Sequence, residues 1–166
     1  AIMEAGKAFD LKLVGMQAVN SLRLETGLRH WETDITPEDT PYEAGLGFGV
    51  KLDKGAFTGR EALAAQKAAG PLTKRIAMFT LDHPEPKLYA NEPVYRDGQV
   101  VGQITSGAYG YAVGSAVGMG YIRNAGGVDA DWIASGKFEI MIEGKLIPAK
   151  ASLRSPYDPK NERTKM

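Results

Sequence analysis

From Lys74 onward the chain is written as short alternating runs joined by turn dipeptides, and this pattern restricts the fold more than any other feature. "KRIAMFTL" reads as a strand. "PVYRDGQVVGQITS" places Asp97-Gly98 between Val94/Tyr95 and Val100/Val101, a strong hairpin signal. "KFEIMIEGKLIPAKASL" predicts a second hairpin turning at Glu143-Gly144. There Phe138, Ile140 and Ile142 alternate with Glu139, Met141 and Glu143, as a half-buried strand requires. Between the hairpins, "SGAYGYAVGSAVGMGYI" is dense in glycine. It reads as a tight loop or short helix leading into a strand at 119–123. Short strands in this number can close into a small antiparallel barrel.

The first seventy residues have a helical texture. Ala1–Asp10 reads as a helix or its end, with Ile2, Ala5 and Phe9 on one face. "GMQAVNSLRLETG" spaces Met16, Val19 and Leu22 by three and should stop near Gly27, a C-cap candidate. Glu25 then sits in the last turn, where a carboxylate opposes the helix dipole. It is either a solvated helix end or a carboxylate held for a ligand. In "TPEDTPYEAG" each Thr-Pro step can open a short helix, and Thr40 with Glu43 matches a capping box. "KGAFTGREALAAQKAAG" predicts a helix capped by Thr58, with Glu61 at its third position, ended by Gly70-Pro71. Its alanine-rich face suits close approach to a neighbour. The acidic residues of the 28–40 segment read mainly as solvated charges. The tail from Pro156 reads as coil. Helices come early and strands late, so the fold class is α+β with a boundary near 70–73, dividing the chain into 1–72 and 73–166.

Composition removes several function classes. The 166 residues carry 20 Lys+Arg against 20 Asp+Glu, which gives no general polyanion-binding surface and little support for nucleic-acid binding. Zero Cys excludes a disulfide framework, a thiolate nucleophile and Cys-ligated metal, and two His cannot form a His-rich cluster. Neither His30 nor His83 suggests zinc. No run of 18 apolar residues offers a membrane span. Gly45, Gly47 and Gly49 lack the spacing of a nucleotide loop. The zero Cys count is compatible with cytoplasm, or with the mitochondrial matrix in a eukaryote. The chain opens in helical sequence without an initiator Met, which reads as a fragment or processed piece. Surface scaling predicts a folded area of about 8,000 Å² for one compact body of this mass.

"SLRLETGLRHWETDITPEDTPYE", "AGLGFGVKLDKGAFTGREAL" and "VGQITSGAYGYAVGSAVGMGYI" together resemble, in order and over nearly the whole chain, the glycine cleavage T-protein (aminomethyltransferase) family. The wording "RHW" and "DITPEDTPYEAGLGF" is similar to the branch fused to dimethylglycine and sarcosine dehydrogenases. The resemblance implies the tail of a folate-binding α/β region followed by the C-terminal barrel. It implies tetrahydrofolate as cofactor, with FAD only in an upstream part. The partners implied are folate, a one-carbon unit from a small N-methyl amine, and the N-terminal half of the same protein. No catalytic residue and no metal ligand is assigned within this chain, which is not expected to catalyse a reaction by itself.

The resemblance also implies a folate-binding set. Glu25 matches the carboxylate of the family's "RLE" motif, which pairs with the donor edge of the pterin. Such an N–C–N edge offers two parallel donors, and a carboxylate accepts both. Trp31 could face the ligand or serve as an ordinary core residue; relatives without the oxidase half often carry Tyr there, followed by Gly where Glu32 stands. Lys54 matches a basic position near the folate tail, with Lys replacing Arg, or is a surface lysine. Arg60 is expected to fix its helix through a carboxylate contact. Tyr109 could contact the pocket or pack beneath it, and Gly110-Tyr111 replace the Ser-Pro of relatives. The implied activity is that of the tetrahydrofolate half of an FAD-dependent dehydrogenase yielding 5,10-methylenetetrahydrofolate. The alternatives are a stand-alone aminomethyltransferase and a non-catalytic folate-binding or interaction module.

Overall fold

The structure is a computed structural model and describes residues 1–165. Six antiparallel strands close into a barrel: β1 (Lys74–Leu81), β2 (Pro93–Arg96), β3 (Gln99–Gly110), β4 (Ser115–Arg123), β5 (Phe138–Ile142) and β6 (Lys145–Ser152). Their order around the wall is β1-β4-β3-β2-β5-β6, with β6 pairing back onto β1. Both expected hairpins are present. Asp97 and Gly98 have φ of 50° and 79°, and Glu143 and Gly144 have φ of 50° and 78°. Two successive positive φ values match the right-handed twist of the flanking strands, which is why these dipeptides turn them. The interior is filled by Phe79, Val94, Ile104, Ile122 and Ile140, all fully buried. Phe138 bridges Phe79 and Trp132, with ring centroids 6.1 and 5.9 Å away. The short helix α4 (Ala130–Ala134), which the sequence pattern did not disclose, adds Ile133 to this core.

The glycine-dense segment is not a loop or short helix. It forms the end of β3, a turn at 111–114, and the whole of β4. The glycines serve close packing between strands. A Cβ on Gly120 would lie 2.1 Å from the Gln103 carbonyl oxygen, and one on Gly102 would lie 1.9 Å from that of Tyr121. From Ser115 to Ile122 every residue of β4 is buried, because one face lines the barrel and the other is covered from outside.

The outer cover is α2 (Met16–Glu25). Its Leu24 joins Ile76, Met78, Val117, Met119 and Tyr121 in a second apolar cluster. The helix ends as expected at Gly27. The Leu28 amide reaches the Arg23 carbonyl at 2.8 Å and the Gly27 amide reaches Leu24 at 3.1 Å, with Gly27 at φ 71°. This is a Schellman closure. The face, however, differs from the expected one. Met16, Val19 and Leu22 point outward and are exposed, while Ser21, Leu24 and Glu25 are buried. The same holds for α1 (Ile2–Gly6) and the 3-10 turn at Lys7–Phe9, where Ile2 and Phe9 lie open. The folded surface is 10718 Å², about a third above the area expected for a compact body of this mass.

α3 (Arg60–Ala68) begins one residue later than the sequence suggests. Gly59, at φ 87°, occupies the cap position and Thr58 makes no capping bond. None of its residues is fully buried, so the alanine-rich face makes no tight contact among the described residues. The Thr40 box does form: the Glu43 amide reaches the Thr40 hydroxyl at 3.2 Å and the Thr40 amide reaches Glu43 Oε2 at 2.9 Å. It closes a run of turns over 41–45 instead of an α-helix.

Candidate functional site

A cleft runs along α2 where the helix faces β3. Its larger compartment, about 930 Å³, is walled by Gln17, Asn20 and Ser21 of α2, the 84–89 loop, and Tyr109 and Tyr111. The smaller, about 360 Å³, shares Gln17, Asn20 and Gly107 and adds Arg23, His30, Thr33, Thr105 and Ser106. The Schellman turn sends the chain back under α2, so the 28–35 loop reaches β3. The register shift between Ile104 and Ser106 marks a bulge, which re-aims Thr105. The rings of Tyr109 and Tyr111 meet edge to face, with centroids 5.1 Å apart.

Beneath the smaller compartment lies a buried ion pair. Arg23 Nη1 stands 2.6 Å from Asp34 Oδ2, and Asp34 is 1% exposed. Asp34 and Asp39 correct the expectation that the charges of this loop are mainly solvated. Asp39 accepts from Lys74 Nζ at 2.6 Å and from the Thr36 amide at 2.8 Å. Burial pushes the Asp39 carboxyl up, but the Lys74 and Thr36 hydrogen bonds outweigh it and hold the group below its ordinary range. Lys74 also lies over the Tyr121 ring, 4.7 Å from its centroid. Burial, with the charges of Asp39 and Glu43, drives the Tyr121 phenol well above its ordinary range, and its hydroxyl has no hydrogen-bond partner among the described residues. Arg29 is lowered by burial, partly offset by Tyr121 and Asp34, while it donates to the Ala44 and Gly27 carbonyls at 3.0 and 2.6 Å.

The four expected folate residues are placed as follows. Glu25 is 2% exposed, and its Oε1 accepts the Ala112 and Val113 amides at 2.6 and 3.0 Å. These two donors compensate a carboxylate at the wrong end of the helix dipole. Tyr109 is part-exposed in the larger compartment, and its carbonyl accepts the Ser21 hydroxyl at 2.5 Å. Glu25 and Ser21 thus tie α2 to the β3–β4 hairpin, one through the Ala112 and Val113 amides and the other through the Tyr109 carbonyl. Trp31 is 57% exposed and forms an isolated bridge with Ile35. Lys54 is exposed in a turn closed by its amide on the Lys51 carbonyl. Trp31, Lys54 and Glu25 do not line the cleft, and Glu25 instead borders a separate hollow of about 370 Å³ with Val19, Leu22, Ala112 and Tyr157. Arg60 meets a main-chain carbonyl, that of Leu52 at 2.8 Å, and not a carboxylate. Sequence reasoning missed Arg23, Asp34, Thr105 and Ser106; an Arg and an Asp eleven residues apart carry no local signal. Among the described residues no three His, Asp or Glu side chains converge as a metal site.

Residues 74–158 match the glycine cleavage T-protein C-terminal barrel domain and residues 1–54 match the GCVT N-terminal domain. The chain is 40% identical to human mitochondrial sarcosine dehydrogenase, covering 99% of this chain and 18% of that protein. It is 44% identical to 4-methylaminobutanoate oxidase (formaldehyde-forming) of Paenarthrobacter nicotinovorans, covering 98% of this chain and 19% of the oxidase. It therefore spans about a fifth of the length of these relatives. Among solved structures it is similar to the glycine cleavage system aminomethyltransferase T of Bartonella henselae, with a TM-score of 0.76 and 28% identity over 94% of this chain and 43% of that one. The closed barrel, the helix packed on its outer wall and these likenesses lead to one conclusion: the chain belongs to the glycine cleavage T-protein family.

Proposed function

We propose that this chain forms one wall of a tetrahydrofolate site in a one-carbon transfer protein. The larger protein would be an FAD-dependent demethylating dehydrogenase of the sarcosine or dimethylglycine type, with the flavin held upstream. The cleft between α2 and β3 carries this reading. It offers aromatic edges from Tyr89, Tyr109 and Tyr111 beside the side-chain amides of Gln17 and Asn20. A flat heterocycle with alternating donors and acceptors suits such walls. Its volume, about 930 Å³, is ample for a ligand of this size. Identities of 40% and 44% to a sarcosine dehydrogenase and a 4-methylaminobutanoate oxidase, against 33% to the aminomethyltransferase of Shouchella clausii, favour the dehydrogenase branch.

Bound tetrahydrofolate would supply the nucleophilic nitrogens that accept the one-carbon unit, giving 5,10-methylenetetrahydrofolate. The residues of this chain would bind and orient it. Glu25 would accept from the donor edge of the pterin where the ligand extends beyond the cleft, since its carboxylate borders the neighbouring hollow with Val19, Leu22 and Ala112. Because the hairpin amides hold its Oε1, the ligand must take Oε2 or displace the Tyr111–Gly114 turn. Trp31 and Lys54 lie outside the cleft and would flank the ligand and meet its tail carboxylates only where the N-terminal half extends the site. The site would be completed by the N-terminal half of the protein, in the cytoplasm or mitochondrial matrix, and this chain alone would not turn over. Anaerobic calorimetric titration of tetrahydrofolate into the chain tests the reading. Binding should be measurable, and Glu25→Ala should weaken it by about 1–3 kcal/mol. Absence of binding by both this chain and the full-length protein would refute it.

A further inference from the structure

We propose that Asp34 is a positioning residue that sets the lining of the cleft between α2 and β3. Its carboxylate is buried beneath the wall and itself lines neither compartment. It accepts three hydrogen bonds, and each donor belongs to a residue of the wall. Oδ2 takes Arg23 Nη1 at 2.6 Å and the His30 amide at 2.9 Å, and Oδ1 takes the Thr105 hydroxyl at 2.6 Å. Arg23, His30 and Thr105 all border the smaller compartment. One carboxylate thus joins α2, the loop beneath it and the bulge of β3.

The bond to Arg23 has a further effect on what the cleft offers a ligand. A guanidinium has five N–H groups. Nε donates to Asn20 Oδ1 at 2.9 Å, Nη1 to Asp34 and to the Leu28 carbonyl at 3.2 Å, and Nη2 to Ser106 Oγ at 2.9 Å. Four of the five are engaged, and the positive charge is matched by Asp34. Arg23 is therefore a brace, not an anion hook. The Ser106 hydroxyl, already accepting from Arg23, keeps its own proton for an acceptor. The smaller compartment accordingly selects a neutral polar edge over a carboxylate or phosphate. In the folate reading, on which this last step rests, that edge belongs to the ring system and not to the anionic tail.

The test compares the chain with Asp34→Asn, with the double variant Arg23→Met/Asp34→Leu, and with the control Asp39→Asn. Asp39 is an equally paired carboxylate that holds Lys74 and no residue of the cleft wall. The readouts are the thermal midpoint, tetrahydrofolate affinity by anaerobic calorimetry, and amide exchange at His30 and at 105–107. Asp34→Asn and Asp39→Asn should both lower the midpoint, but only Asp34→Asn should weaken affinity, by tenfold or more, and speed exchange at those amides. The double variant removes both charges and should recover part of the midpoint without recovering affinity, since apolar replacement of a buried pair restores stability and not polar lining, while the His30 amide still lacks its acceptor. Wild-type affinity in folded Asp34→Asn would overturn the proposal, as would an equal loss in Asp39→Asn or affinity that returns with the midpoint in the double variant. Should the unmodified chain take no folate, affinity is read in the full-length protein, and the folate reading fails separately if that protein takes none either. Exchange then decides on Asp34, and unchanged protection at His30 and 105–107 in Asp34→Asn would overturn its role.

Discussion

Replacing Glu25 by Ala is expected to loosen the seam between α2 and the β3–β4 hairpin, and the structure allows the cost to be worked out. Oε1 receives two main-chain amides, Ala112 at 2.6 Å and Val113 at 3.0 Å, in a site that is 2% exposed. A hydrogen bond to a charged group is worth about 1.5–3 kcal/mol net, and a stranded buried donor costs a similar amount. The variant also relieves a carboxylate at the C-terminal end of a helix, a gain of roughly 0.5 kcal/mol. The lost hydrogen bonds dominate, and the net loss is about 3 kcal/mol. In a chain of this size that lowers the thermal midpoint by roughly 6–12 °C. Glu25→Gln retains a neutral acceptor and should cost about 1 kcal/mol, a third as much. Thermal and urea unfolding of the three proteins measures both. A Glu25→Ala variant melting within about 1 °C of the parent would refute the reasoning, because it would mean the hairpin amides do not depend on this carboxylate.

Gly120→Ala should cost several kcal/mol, on the order of 3 or more, because its Cβ would stand 2.1 Å from main-chain oxygen that the β3–β4 pairing cannot move. Gly49→Ala, with nothing within 4 Å of the new atom, should stay within about 0.5 kcal/mol, and equal midpoints for the two would count against the close-packing account. Tyr121→Phe removes a buried hydroxyl without a partner and should leave stability unchanged or raise it by up to about 1 kcal/mol. Because the Tyr121 phenol is raised in the folded chain, the parent should lose stability as pH climbs past the unfolded phenol value of about 10. Tyr121→Phe should flatten that alkaline limb in unfolding curves, and an identical limb in both proteins would dismiss the titration.

The barrel was legible because its signals are local. Asp97-Gly98 and Glu143-Gly144 specify their turns within two residues, and Phe138, Ile140 and Ile142 declare their face by alternation. Gly27 likewise ends α2 through contacts five residues back. What escaped depends on partners distant in sequence. Gly102 and Gly120 look like loop residues until each is set against the opposite strand. The spacing of Met16, Val19 and Leu22 correctly implies an amphipathic helix, but periodicity does not say what covers the face. Within this chain the buried face is the one bearing Ser21 and Glu25, which a polarity pattern assigns to solvent. Of the four expected site residues only Tyr109 borders the cleft, while Glu25 borders a separate hollow and is held by the hairpin amides. Asp34 was read as a surface charge because its three donors come from α2, from the loop and from β3.

The position of β1 also shapes how the chain is assembled on the ribosome. β1 is made before the other strands of the barrel, yet its two neighbours are β4 and β6, and Met78 pairs with both Met119 and Ser152. Neither pairing is available to a nascent chain that has just released β1. The hairpins β2–β3 and then β3–β4 complete first, and β5–β6 follows. β1 therefore waits with both edges unpaired until β4 is made, and the wall closes only after Ser152 leaves the exit tunnel. During that interval its apolar stretch, 76–79, presents the kind of open edge on which chains associate or holding chaperones act.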